Sequence, residues 1–328
     1  MDYVNKYVFI SGTGRSGTNI TKEILADHPD IYALPFEYRF TVDPDGIIST
    51  YNILKNVWSP FQVDIAIKRL EILLRKMGQK NRVKSLTSNT ELTRSNGKSH
   101  SSTPYAEWEL SKWFPNYNNL VDKLITGLTD VTYNGYWPGA ISSQQKNVIT
   151  MSLYDREDVQ LESIFHTFLT KLYDGLLKKH KSSCLVEDNT WSVLYAKDLV
   201  TILPNLKLIH VVRDPRDVLA SMIHQRWCPS DLMDCIKFYQ SLFKRIFSQL
   251  KLISDKNYVQ IKLENMVCNK QDSLGLISNF IGVDIRNIDQ NNKLNTGTFG
   301  RWKRDFNSIE SALINKHLEY EICTLEYK

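Results

Sequence analysis

The chain lacks what several large protein classes require. Its five cysteines, Cys184, Cys228, Cys235, Cys268 and Cys323, form no C-x-x-C pair. Their odd number and scatter point to reduced thiols in a cytoplasmic protein, not to a disulfide framework. The seven histidines do not pair at H-x₃-H spacing and no His/Cys cluster occurs, so no metal site is expected. No apolar run approaches the roughly 20 residues of a membrane span. The opening stretch MDYVNKYVFISG has no apolar segment with a cleavage site, so no signal peptide is read. No dense Lys/Arg block accompanies the net charge of +5, which argues against a nucleic-acid partner and suits an anionic small molecule. No internal repeat is evident.

What is present is concentrated in a few segments. An apolar run at 7–10 reads as a buried strand, and GTGRSGTN follows it. The helical pattern after it places Ile20, Ile24 and Leu25 on one face. Strand, glycine turn and helix build an anion cradle, in which backbone N–H groups and the helix dipole face a phosphate. Gly12 to Gly17 fits the spacing G-x-x-x-x-G, but Thr18 stands where a Walker A loop has Lys, and the cation is Arg15 inside the loop. Such a loop can hold a phosphate but is poorly equipped to donate a γ-phosphoryl group.

A second apolar strand, 206–212, ends in RDPRD and runs into a helix with Val218, Leu219, Met222 and Ile223. Pro215 is tolerated there, because the first helical turn leaves its N–H position unpaired anyway. Arg213 at the strand end and Ser221 eight residues later can face one crevice at the carboxyl ends of parallel strands.

GTGRSGTN with DHPD after its helix, then VVRDPRDVLASM, then GRWK at 300–303, resemble in order and spacing the sulfotransferase superfamily. The style is closer to bacterial and protein-tyrosine-type members than to the cytosolic type. The resemblance covers about 5–50 and 160–328. It implies an enzyme that moves a sulfuryl group from 3′-phosphoadenosine 5′-phosphosulfate (PAPS) to a hydroxyl, leaving 3′-phosphoadenosine 5′-phosphate (PAP). Gly12, Gly14, Arg15, Ser16, Gly17, Thr18 and Asn19 would form the 5′-phosphosulfate loop. Arg213 and Ser221 would bind the 3′-phosphate, and Arg301 and Lys303 would close over the nucleotide. Arg15 would meet charge growing on the leaving phosphate. EDNT at 187–190 and IKLEN at 261–265 depart from the family's E-K-T-P and R-Y-E-D-L, which leaves contacts from those segments open.

Glu37, after the second strand, is the expected general base, since protein-tyrosine-type members place a Glu near there. A structural ion pair with Arg39 or Arg15 is the other reading. His224 and Asp188 are weaker candidates. His28 reads as a helix cap and His210 as a core histidine. A P-loop nucleotide kinase would need Lys at 18 and a Walker B Asp, for which Asp188 is a poor substitute. A non-catalytic nucleotide-binding protein would need no base.

Strands are expected at 7–10, 31–34, 185–187, 206–212 and 258–263, and helices near 18–27, 192–203, 216–226, 232–253 and 271–281. The alternation predicts a three-layer, P-loop-like α/β fold with a central parallel sheet, a single domain over 1–328. A largely helical insertion at 51–160 is expected to cap the acceptor side. It opens with a helix at 61–77, continues through a polar loop at 78–104, and then carries Trp108, Trp113, Phe114, Tyr117, Tyr133, Tyr136 and Trp137. These aromatics read chiefly as packing for the insertion itself. The acceptor stays open among glycan, tyrosyl peptide, lipid-linked sugar and small phenol.

Overall fold

The computed structural model describes residues 5–37, 39–79, 108–138, 148–286, 288 and 299–327. The expected polar loop falls outside these residues apart from its first two, and Gly297 of the C-terminal segment falls outside as well. The chain forms two compact units, one of 1–42 with 180–328 and the other of 43–179. The second unit is wider at both ends than the expected 51–160 insertion.

The first unit is built on five parallel strands. They are β1 (Lys6–Ser11), β2 (Ile31–Ala33), β5 (Cys184–Glu187), β6 (Lys207–Val212) and β7 (Tyr258–Lys262), in the order β2-β5-β1-β6-β7. All five expected strands enter this sheet. The near-continuous apolar character of the three central strands β1, β5 and β6 follows from burial on both faces. On one face Val8, Ile10, Val186, Ile209, Val211 and Ile261 pack with Ile24 and Leu25 of helix Thr18–Ala26 and with Leu274 and Ile277 of helix Lys270–Ile281. Register keeps these residues level, with Val8 opposite Val186 and Ile10 opposite Ile209. The opposite face holds His210, whose ring meets Phe247 of helix Leu232–Leu250 edge-on at 5.9 Å. Burial lowers the His210 pKa to about 4, as for a neutral core histidine.

The helix expected at 216–226 is Pro215–Met222. Its apolar face runs out at Ile223, and a turn with Gln225 N–H donating to the Met222 carbonyl follows. Asp214 caps the start, accepting from the Arg216 N–H, with Pro215 at the first helical position as expected.

The second unit contains helices Ile47–Asn56, Pro60–Gly78, Leu110–Trp113 and Tyr117–Leu128, and most of Asp158–His180. It also holds an antiparallel pair absent from the sequence reading, β3 (Val131–Asn134) with β4 (Val148–Met151). Asp64, fully buried, ties this unit together by accepting from Lys68, the Trp137 indole and the Thr150 N–H. The aromatics divide: Phe114 and Tyr117 are core, whereas Tyr133 and Tyr136 are exposed.

Candidate functional site

The loop after β1 has the backbone of an anion cradle. Gly14, Arg15 and Gly17 all carry positive φ, at 84°, 59° and 102°. For Arg15 this left-handed conformation is unusual and costs energy in a non-glycine residue. Two glycines are required by contact. A Cβ on Gly12 would lie 2.1 Å from Ser16 Oγ and 2.7 Å from the Val211 carbonyl, and one on Gly17 would lie 2.6 Å from Leu263. The curled loop delivers Thr18 to the first turn of helix Thr18–Ala26, with Gly17 as N-cap. Ser16 Oγ is buried with no hydrogen-bond partner, and Thr18 is buried beside it in sequence, while Asn19 is exposed. A buried, unpartnered hydroxyl inside a glycine cradle fits an anion as its hydrogen-bond acceptor.

Two guanidiniums meet here. Arg15 Nε donates to Ser221 Oγ across 2.8 Å, and an Arg213 N–H reaches the Arg15 carbonyl at 3.4 Å. Burial, then the Arg213 and Arg301 charges, lowers the Arg15 pKa from its usual value. Arg213 is buried and pairs with Asp217 at 3.4 Å; Arg301 pairs with Asp305. Lys303 is exposed and lies 5.6 Å from the Trp302 ring, whose centre is also 4.5 Å from the Arg216 guanidinium. Arg15 and Arg213 beside a glycine cradle are chemically suited to an anionic phosphate group.

Glu37 joins this loop through the end of β5. Thr190 donates from its hydroxyl to Glu37 Oε1 at 3.3 Å, and its carbonyl accepts the Gly12 N–H at 2.9 Å. Burial raises the Glu37 pKa and Asp188 raises it further; Arg39, the Thr190 hydrogen bond and Lys22 act the other way. Asp188 is buried and pairs with Lys22 at 3.1 Å. His224 is exposed just beyond the helix that carries Ser221. His28 accepts from the Asp30 N–H in the turn after its helix.

Several neighbours escaped the sequence reading. Thr190, Lys22 and Asp217 have no spacing that announces them, except that Arg213 and Asp217 stand one helical turn apart. Trp227 lies against the loop, 3.0 Å from where a Cβ on Gly14 would stand, and meets Trp191 edge-on at 5.9 Å. Glu264 of IKLEN accepts the Asp214 N–H, bracing the RDPRD turn. Two of the scattered cysteines also meet, with Cys228 and Cys235 Sγ atoms 3.3 Å apart, although all five are free thiols.

The sulfotransferase family model matches residues 98–287, more than half of the chain. The chain belongs to the sulfotransferase family. The match takes in Arg213, Asp217 and Ser221 of this sulfotransferase; the loop at 12–18 and the turn at 300–303 lie beyond it and stand on their geometry. No curated protein matches. Solved structures similar to the sulfotransferase include the sulfotransferase domain of the Synechococcus PCC 7002 olefin synthase. It is 15% identical with a TM-score of 0.45, covering 98% of this chain and 97% of that one. The sulfotransferase domain from the curacin biosynthetic pathway is 14% identical with a TM-score of 0.44, covering 100% and 99%. STF9 from Mycobacterium avium is 13% identical with a TM-score of 0.41, covering 99% and 78%. Among the described residues no His, Cys, Asp and Glu cluster is placed to hold a metal ion, and no helix is long and apolar enough to cross a membrane.

Proposed function

We propose that this sulfotransferase takes its sulfuryl group from PAPS and delivers it to a hydroxyl acceptor. The observation that carries the reading is a glycine cradle with a buried, unpartnered Ser16 hydroxyl, at which Arg15 bonds Ser221 and Arg213 bonds the Arg15 carbonyl. The donor, when bound, supplies an activated sulfur with PAP as leaving group. Backbone N–H groups of 12–18, Ser16 and Thr18 would bind the 5′-phosphate of this donor. Arg213 and Ser221 would bind the 3′-phosphate, with Arg301 and Lys303 closing from the C-terminal turn.

Glu37 is the base in this scheme. It takes the acceptor's proton as the hydroxyl oxygen bonds to sulfur and the sulfur–oxygen bond to PAP breaks. Its raised pKa makes it a better proton acceptor than a solvated carboxylate, and Thr190 fixes its direction. The electron pair of the broken bond stays on the departing phosphate oxygen, and Arg15 would meet the negative charge that grows there. The free thiols fit a reducing cytoplasm.

The test is transfer of label from ³⁵S-PAPS across four acceptor classes: glycan, tyrosyl peptide, lipid-linked sugar and phenol. Labelled product with at least one class is expected, and transfer should persist in EDTA, since no role above uses a metal ion. Phosphoryl transfer from ATP with an absolute Mg²⁺ requirement would overturn the proposal in favour of a kinase.

A further inference from the structure

Asp217 is a buried carboxylate with all its known contacts at the donor end of the fold. Its Oδ2 lies 3.4 Å from Arg213 Nη2 and accepts the Gly300 N–H at 2.8 Å; its Oδ1 accepts the Trp302 N–H at 3.1 Å. The carboxylate thus grips a turn more than eighty residues away in sequence. Gly300 has a φ of 66°, the left-handed conformation that lets the turn present two N–H groups to one carboxylate. The neighbouring Arg216 adds a second hook, its guanidinium 4.5 Å from the Trp302 ring centre and forked on Asp214.

Arg301 sits between the two N–H donors. Held there, its charge is near enough to Arg15 to contribute to the lowering of that guanidinium's pKa. One carboxylate therefore fixes Arg213 directly and Arg301 through its backbone. A carboxylate beside an anion site is unfavourable in itself, because it repels the ligand and neutralises part of the attracting charge. Its retention in a nearly dry position needs a compensating role, and geometry supplies one.

We propose that Asp217 is a positioning residue of the donor site, aligning Arg213 toward the 3′-phosphate and holding the turn from which Arg301 closes over the nucleotide. The inference rests on the PAPS reading for its ligand, but the contact itself does not. Asp217→Asn retains the size and one acceptor oxygen while losing the charge and one N–H contact. It is expected to reduce the preference for PAP over AMP about tenfold, in line with loss of charged hydrogen bonds. AMP affinity should be nearly unchanged.

A double-mutant cycle separates positioning from general support. With Asp217→Asn in place, Arg301→Ala should cost much less PAP affinity than it does alone. Full additivity would overturn the proposal, as would an unchanged PAP/AMP ratio in a folded Asp217→Asn protein. Should that variant not fold, amide hydrogen exchange on the unmodified protein reads the same contact. The Gly300 and Trp302 amides should be protected, and more so with PAP bound; free exchange at both would overturn the proposal. If the unmodified protein binds PAP and AMP equally, the donor reading fails, and the exchange measurement without nucleotide still decides whether Asp217 holds the turn.

Discussion

Arg15 Nε donates to Ser221 Oγ across 2.8 Å, joining the loop after β1 to the helix after β6, 206 residues later in sequence. The bond makes one surface of two segments that the parallel sheet sets side by side, since β1 and β6 are neighbours. Arg15→Asn and Ser221→Ala should each weaken PAP binding, Asn being chosen because it tolerates the left-handed backbone at Arg15. Combined, they should cost less than the sum by about 0.5–1.5 kcal/mol, the coupling expected of one hydrogen bond. Titration calorimetry on the four proteins gives the answer; strict additivity would show that the bond does not matter to the ligand.

Glu37→Gln keeps the shape of the side chain but cannot take a proton. Once an acceptor is known, kcat should fall by about 10² or more. PAP affinity should change little, because the assigned role is toward the acceptor. Near-normal turnover would remove Glu37 from the mechanism and send attention to Asp188 and His224.

Asp188 raises the Glu37 pKa and is paired with Lys22. Removing its charge by Asp188→Asn should therefore lower the Glu37 pKa, and the freed Lys22 should lower it further. Glu37 works deprotonated, so activity is lost as pH falls through its pKa. The acid limb of the kcat/KM profile should move to lower pH in Asp188→Asn. Movement to higher pH would contradict the electrostatic assignment.

Gly17 combines a φ of 102° with a Leu263 side chain 2.6 Å from any added Cβ. Gly17→Ala should destabilise the protein by about 1–3 kcal/mol through backbone strain and overpacking. Urea unfolding measures this, and PAP binding should weaken in the same variant because the cradle must shift. A neutral substitution would mean the loop is not held in this conformation.

The central strands β1, β5 and β6 were legible because they are short apolar runs bounded by turn residues, the signature of burial on both faces. Val131–Asn134 was not, since its Val-Thr-Tyr-Asn alternation is only four residues long and all four are exposed. The curled loop at 12–18 and the nearness of Arg213 and Ser221 to it could be anticipated because glycine spacing and the Arg–Ser interval are local. What surrounds them could not. Thr190 reaches Glu37 over 153 positions and Asp217 reaches Gly300 over 83, distances at which contact leaves no trace in spacing. Cys228 and Cys235 likewise looked scattered, and meet only because a turn folds one back on the helix bearing the other.

The central claim is that the crevice recognises a nucleotide with a 3′-phosphate, and the direct measurement is the affinity of the unmodified protein for PAP and for AMP at the same ionic strength. The account predicts that PAP binds at least about tenfold more tightly, a difference of about 1.4 kcal/mol or more from charge-assisted bonds to Arg213 and its neighbours. Equal affinities for the two nucleotides would contradict it.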